Sequence, residues 1–242
     1  MDRKPKNIAV DGVFMTESYM NEVMGGLLDC LSGSDRQRLI SNMEIHICKR
    51  NEHVYQNGDL SQYMYVIAEG YVGVLFGSDS NSERMLTVLR KGDIFGYRDY
   101  IANHNRSTTV SCIDNVVLYR IPNSVVMEAM ENSRKLPALL LENLSKCSRS
   151  AEFRYLNMLR KHLRGRLADT LLYLLNRLGT MDDVPKLTVG LKREDLAKMS
   201  DMTVANAIRT LSNFVDEGLI RVDRRIIYFL DIPTLERISM VE

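Results

Sequence analysis

The sequence predicts an α+β protein with an N-terminal antiparallel β-roll of jelly-roll type, a long helix, and a C-terminal winged helix-turn-helix. Three observations predict it. From Glu44 to Pro122, short apolar stretches alternate with turn signals at "NGD", "GSDSNS", "KGD" and "IDN", the spacing of an antiparallel sandwich or barrel. After Pro122 the period changes, and Ser124–Leu163 passes without a glycine. Further on, "LKREDLAKMSDMTVANAIRTLSNFVDEGLI" reads as two short helices split by Ser200-Asp201-Met202.

Bulk properties fit this reading. A chain of 242 residues is longer than the usual single domain, so two domains are expected. Apolar residues at 45% and charged residues at 26% are ordinary for a globular protein with a real core, and they exclude disorder and fibres. The formal charge of +1 gives no overall pull toward nucleic acid or membrane, so any DNA-binding surface must be a local patch. No apolar run reaches the roughly 18 residues of a spanning helix, and the start "MDRKPKNIAVDG" lacks the apolar centre of a signal peptide. The expected location is cytoplasmic, without a membrane. Cys30, Cys48, Cys112 and Cys147 are scattered, which argues against a disulfide framework or a zinc site and favours small buried hydrophobes. There is no N-terminal cysteine cluster to hold an iron–sulfur centre.

Taken in order, apolar residues alternate along several pieces of the roll, as in Ile45, Ile47 and Val66. Within "GDIFGYRDYIANHNRSTTVSC" the glycines sit like strand corners, and Arg106-Ser107-Thr108 suits an anion. A guanidinium forks two oxygens and a hydroxyl adds a donor. Pro137 opens the long helix. Leu140, Leu144, Cys147, Ala151 and Met158 share one side of it, a stripe that packs either on its own domain or on a second copy across a two-fold axis. Gly165 marks the hinge, giving segments 1–136, 137–164 and 165–242. In the last segment, Arg193–Met199 forms one helix, and Thr203 caps a second that ends at Gly218. Ala207, Leu211 and Phe214 turn inward, which leaves Val204, Ala205, Ile208 and Arg209 outward beside Thr203 and Asn206. Arg221, Arg224 and Arg225 lie on a following hairpin, a wing suited to phosphates.

"YVIAEGYVGVL", "GDIFGYRDYIANHNRST", the long helix and "REDLAKMSDMTVANAIRTLSNFVDEGLI" stand in one order, and over about Asn21 to Leu230 the chain resembles the Crp-Fnr family of bacterial transcription regulators. The resemblance implies a homodimer that binds double-stranded DNA and works with RNA polymerase. A cyclic-nucleotide-binding-type roll would take a small effector, and the dimer helix and hinge would set two recognition helices on successive major grooves. It also implies an effector pocket at Gly96, Tyr97, Arg106, Ser107, Thr108 and Glu152. Family members that bind cyclic AMP follow the glycine with a glutamate for the ribose, but Gly96 here precedes Tyr97. Arg106 and Ser107 match the family's phosphate clamp, whereas Ala151-Glu152 replace the threonine-serine pair that reaches adenine. These departures argue against cyclic AMP and leave the effector open. Arg106 also reads as a surface arginine, or as one paired with Asp99 or Glu152. On the recognition helix the family's arginine-glutamate and later arginine become Val204, Ala205 and Arg209. Arg209 can fork guanine O6 and N7, and Val204 and Ala205 suit a thymine methyl.

Other functions need other residues. A haem-based sensor of the same family would rely on His104, a lone loop histidine. A jelly-roll metalloenzyme needs His and Glu clustered round an open metal position, but His46, His53, His104 and His162 form no close pair. The chain is therefore expected not to be an enzyme, and no cofactor is assigned. A purely structural scaffold would leave Arg209 and the basic wing without a task.

Overall fold

The computed structural model describes residues 9–10, 13–14, 16–77 and 83–241, with the Met158 side chain outside that description. Two short strands, β1 (Ala9–Val10) and β2 (Val13–Phe14), pair antiparallel. Helices α1 (Glu17–Leu28) and α2 (Gly33–Ser41) follow, each started by a hydroxyl, Thr16 or Ser32, that accepts a backbone N–H of the first turn.

The roll is built from β3 (Glu44–Cys48), β4 (His53–Tyr55), β5 (Tyr63–Glu69), β6 (Val72–Phe76), β7 (Arg84–Leu89), β8 (Ile94–Phe95), β9 (Thr109–Cys112) and β10 (Val116–Pro122). The short helix α3 (Arg98–Ile101) lies between β8 and β9. Two four-stranded antiparallel sheets result, ordered β3-β10-β5-β8 and β4-β9-β6-β7. Ile67, Val72, Val110, Val116 and Leu118 fill the space between them. The other face of the first sheet presents Met64, Val66, Tyr119 and Ile121 to Met24 and Leu27 of α1 and to helices that follow the roll. Strands β5 and β10 are thus covered on both faces, which is why "YMYVIAE" and "VVLYRIP" are apolar almost throughout. Strand β3 is an edge, and Ile47 on it is 45% exposed.

Helix α4 (Asn123–Asn132) leads to α5 (Lys135–Arg160), whose third residue is Pro137. The chain then breaks at Lys161 and His162, both extended, before α6 (Leu163–Leu178). The break therefore precedes Gly165, which lies buried in the first turn of α6. The remaining elements are β11 (Lys186–Leu187), α7 (Arg193–Met199), α8 (Val204–Asp216), β12 (Ile220–Asp223), β13 (Ile226–Phe229) and α9 (Ile232–Val241). Strands β11, β13 and β12 form a three-stranded sheet in that order. Neither β11 nor α9 stood out in the sequence.

Leu167, Leu171, Leu196, Leu211, Phe214, Ile227 and Leu235 form the C-terminal core, and Leu75, Met85, Val88 and Ile113 of the roll belong to the same cluster. Polar ties follow the seam. The Thr87 and Tyr173 hydroxyls meet at 2.7 Å, Arg177 Nη2 donates to Asp93 Oδ2 at 2.7 Å, and Arg50 Nη2 donates to the Gly190 carbonyl at 3.0 Å. Ion pairs Lys198–Glu83 and Arg84–Asp201 join the roll to the helix-turn-helix. The two halves are packed on each other as well as linked by the break.

Candidate functional site

In the roll, Gly96 turns the chain off β8 at φ +85°, and a Cβ there would stand 2.8 Å from the Tyr63 carbonyl oxygen. That turn brings Arg106 inward, where it is 2% exposed. Its Nη2 donates to the Tyr63 carbonyl at 2.6 Å and its Nη1 to the Gly96 carbonyl. The guanidinium lies 4.3 Å from the centroid of the Tyr55 ring, and Tyr65 stacks on Phe95 at 5.1 Å beside it. Carbonyl dipoles and ring faces offset the cost of burying the cation. Ser107 Oγ donates to Asp99 Oδ1 at 2.6 Å and accepts from Arg98 Nη2 at 2.7 Å. Thr108 is buried and hydrogen-bonds Tyr55, whose phenol is pushed up by burial.

Two expectations change here. Arg106 is neither a surface residue nor paired with Asp99 or Glu152, because the strand corner places carbonyls at its donors first. Glu152 is exposed on α5, and its Oε1 accepts from Ser148 at 3.0 Å. Tyr97 is buried among the residues between the roll and its helices, and its hydroxyl donates to the Leu140 carbonyl at 3.1 Å. Burial pushes the Tyr97 phenol up to about 12. Among the described residues Arg106 Nε has no partner, so part of the clamp is uncommitted.

The helix-turn-helix is set by local chemistry. Asp195 Oδ2 accepts the Lys192 N–H at 2.7 Å, and burial raises the Asp195 carboxyl above its ordinary value. Buried Ser200 donates to Thr170 Oγ1 at 3.0 Å, which ties the turn to α6. Asp201 takes φ +49°, a left-handed conformation that Asp tolerates better than most residues. Thr203 Oγ1 accepts the Asn206 N–H at 3.2 Å and starts α8. Ala207, Leu211 and Phe214 are buried, while Val204, Ala205, Ile208 and Arg209 are exposed and Asn206 is half-buried. No acidic residue lies in the first turn of α8, so its positive dipole end and the N–H groups that Thr203 does not cap face no carboxylate of their own turn. Arg224 and Arg225 form the exposed turn of the β12–β13 hairpin, and Arg221 stacks on Tyr228 at 4.1 Å.

Along α5, Leu140 is 2% exposed and packs into its own domain, because the start of the helix lies on the roll. It is removed from the outward stripe. Leu144, Cys147 and Ala151 are exposed, and Met158 falls outside the described side chains. Leu141, Phe153, Tyr155, Leu156 and Leu159 are exposed as well. The sequence reading missed them because it followed a stripe beginning at Leu140. The three- and four-residue spacing through Leu141, Leu144, Cys147, Ala151, Tyr155 and Leu159 was the available signal.

The backbone N–H of His104, an exposed residue, donates to the Asp99 carbonyl at 2.8 Å. Among the described residues no group of three or more His, Cys, Asp and Glu could hold a metal ion, and no helix is long and apolar enough to cross a membrane.

Comparison with known proteins agrees with this geometry. Residues 46–133 match the cyclic nucleotide-binding domain and residues 165–238 the Crp-like helix-turn-helix domain. A CRP-like cAMP-activated global transcriptional regulator of Mycobacterium tuberculosis is 22% identical over 189 residues, which is 78% of this chain and 84% of that protein. The transcriptional regulator LdrP of Thermus thermophilus is 25% identical over 188 residues, 78% of this chain and 93% of that protein. The structure of FixK2 from Bradyrhizobium japonicum superposes with a TM-score of 0.74 at 18% identity, over 81% of this chain and 97% of that one. With both domains matched in order and regulators of one kind among its relatives, the chain belongs to the Crp-Fnr family of transcription regulators.

Proposed function

We propose that the protein is a homodimeric, sequence-specific regulator of transcription that binds double-stranded DNA through α8 and the β12–β13 wing. The observation that carries this reading is the exposed start of α8, with Arg209 outward and the Arg224-Arg225 turn on the neighbouring hairpin. The exposed apolar residues of α5 supply the two-fold contact, and half-sites about 34 Å apart follow from it. Acting at promoters in the cytoplasm, the dimer meets RNA polymerase, and no catalytic role is assigned to it.

The roll is the sensing part, and its signal is not cyclic AMP. Arg106 and Ser107 are already engaged by Tyr63, Gly96 and Asp99, and no acid follows Gly96. A small anionic effector would have to exchange these partners, which gives it unequal affinity for two states of the roll.

The test compares binding of purified protein to its host's promoter DNA and to random duplex. Arg209→Ala is expected to lose sequence preference, whereas Arg224→Ala weakens binding to all sequences alike. Equal binding of the unaltered protein to both kinds of DNA would sink the proposal.

A further inference from the structure

We propose that this protein recognises its operator through the 5-methyl groups of thymine, read by an apolar ridge of Val204 and Ile208 beside Arg209. The proposal rests on the DNA-binding reading above and adds the chemistry of the bases that are read.

Helix α8 meets the needs of its own domain with Ala207, Leu211 and Phe214. Val204 and Ile208 lie outside that core and are 40% and 47% exposed. They stand four residues apart, so they are neighbours on one flank of the helix. β-branched residues form helix less readily than alanine or the long polar side chains, and these two stand outside the buried core of the domain. Ala205 continues the apolar surface toward Arg209.

The chemistry of such a ridge limits what it can read. Aliphatic side chains cannot hydrogen-bond to base edges, and the apolar group among those displayed in the major groove is the thymine methyl. The surroundings of the ridge suit a polyanion. The first turn of α8 has no acid, Thr203 caps it, and Arg209, Arg224 and Arg225 are exposed. Duplex DNA presents methyl groups flanked by phosphates, which complements an apolar ridge flanked by cations. Four residues of helix rise about 6 Å, close to two base-pair steps of about 3.4 Å, so the two ends of the ridge meet A·T pairs within about three successive base pairs. Arg209 then reads a guanine next to them.

The experiment selects preferred duplexes from a random library with the full-length protein, then remakes the best one with deoxyuridine at each thymine in turn. Uracil keeps every hydrogen-bonding group of thymine and removes the methyl alone. The expected result is about fourfold weaker binding at one or two positions per half-site, the size of one methyl's burial. Val204→Ala and Ile208→Ala, both at exposed positions, should fold normally by circular dichroism and bring the thymine-over-uracil ratio close to one. Selective binding that is indifferent to uracil everywhere would overturn the proposal and leave the DNA-binding reading intact. A thymine preference unchanged in both variants would overturn it too, because the methyl would then act through DNA shape. A protein that selects no sequence at all would overturn the underlying reading, and this proposal with it.

Discussion

Arg154, on the long helix α5, donates from Nη2 to the carbonyl of Met199, the last residue of α7, at 2.8 Å. The same guanidinium donates from Nη1 to the Leu86 carbonyl of strand β7 at 2.6 Å and lies 5.0 Å from the Tyr173 ring centroid. One buried side chain therefore joins the long helix, the roll and the helix-turn-helix, and burial holds its pKa below the usual arginine value. The position of α7 is fixed by the roll directly as well as by the break at Lys161–His162. Arg154→Ala leaves two carbonyls without their donor, and the expected loss is about 2–4 kcal/mol in urea unfolding. Arg154→Lys should recover only part of it, because an ammonium cannot fork two carbonyls as a planar guanidinium does. Wild-type stability in Arg154→Ala would refute this role.

Arg106 is expected to matter to the roll before any ligand arrives. Its removal takes a charged donor from the Tyr63 carbonyl and from the Gly96 carbonyl, which keeps the Asn123 amide at 3.2 Å, and strips the cation from the Tyr55 ring. Arg106→Ala should lose about 2–4 kcal/mol in protein free of small molecules. An arginine reserved for a ligand would instead leave ligand-free stability unchanged, and thermal melting distinguishes the two.

The outward side of α5 should be required for dimer formation and not for folding. Leu159 and Tyr155 are 67% and 62% exposed, so a charge there costs the single chain little. Leu159→Glu and Leu144→Glu are expected to sediment at the 27.7 kDa of one chain, with circular dichroism unchanged, and the unaltered protein is expected to sediment at twice that mass. A wild-type protein that sediments as a single chain at micromolar concentration would remove the dimer.

His46 gives the roll a dependence on pH. Burial, and then the Arg120 guanidinium, hold its imidazole below the ordinary 6.5, against smaller opposite effects of Glu44 and Glu52. The folded protein thus takes up this proton less readily than the unfolded chain. Stability from His46 is complete above pH 6.5 and falls as the pH drops from there through the lower folded value. His46→Gln should remove that step, which urea midpoints between about pH 5 and 7.5 would reveal. Parallel profiles for the two proteins would contradict it.

Much of the architecture was legible because its signals are local. The strands from Glu44 to Pro122 carry their own turn residues, and Thr203 and Gly218 bound α8 through a cap and a left-handed stop. The departures have a common origin in contacts made at a distance. Arg154 reads as one of the charges between apolar positions, yet it is buried because Leu86, 68 residues away, supplies an acceptor. Leu140 reads as part of a stripe that packs on its own domain or on a second copy, and the roll, by covering the start of α5, takes Leu140 for its own domain. Gly165 reads as a hinge, but the chain extends earlier, at Lys161 and His162, and the glycine is buried within α6.

By itself the sequence determined the class of the fold, the order of its parts and the outward face of α8, because periodicity, caps and turns act over a few residues. The tertiary structure decided how those parts are used. Arg106 kept its predicted place near the strand corner, but its guanidinium was committed by the Tyr63 carbonyl, 43 residues away. The docking of α7 on β7 was likewise decided by Met85 and Val88 joining the C-terminal core. Such partners are chosen by which surfaces meet when the sheets and helices pack, and nothing within a few residues of either side chain encodes that choice.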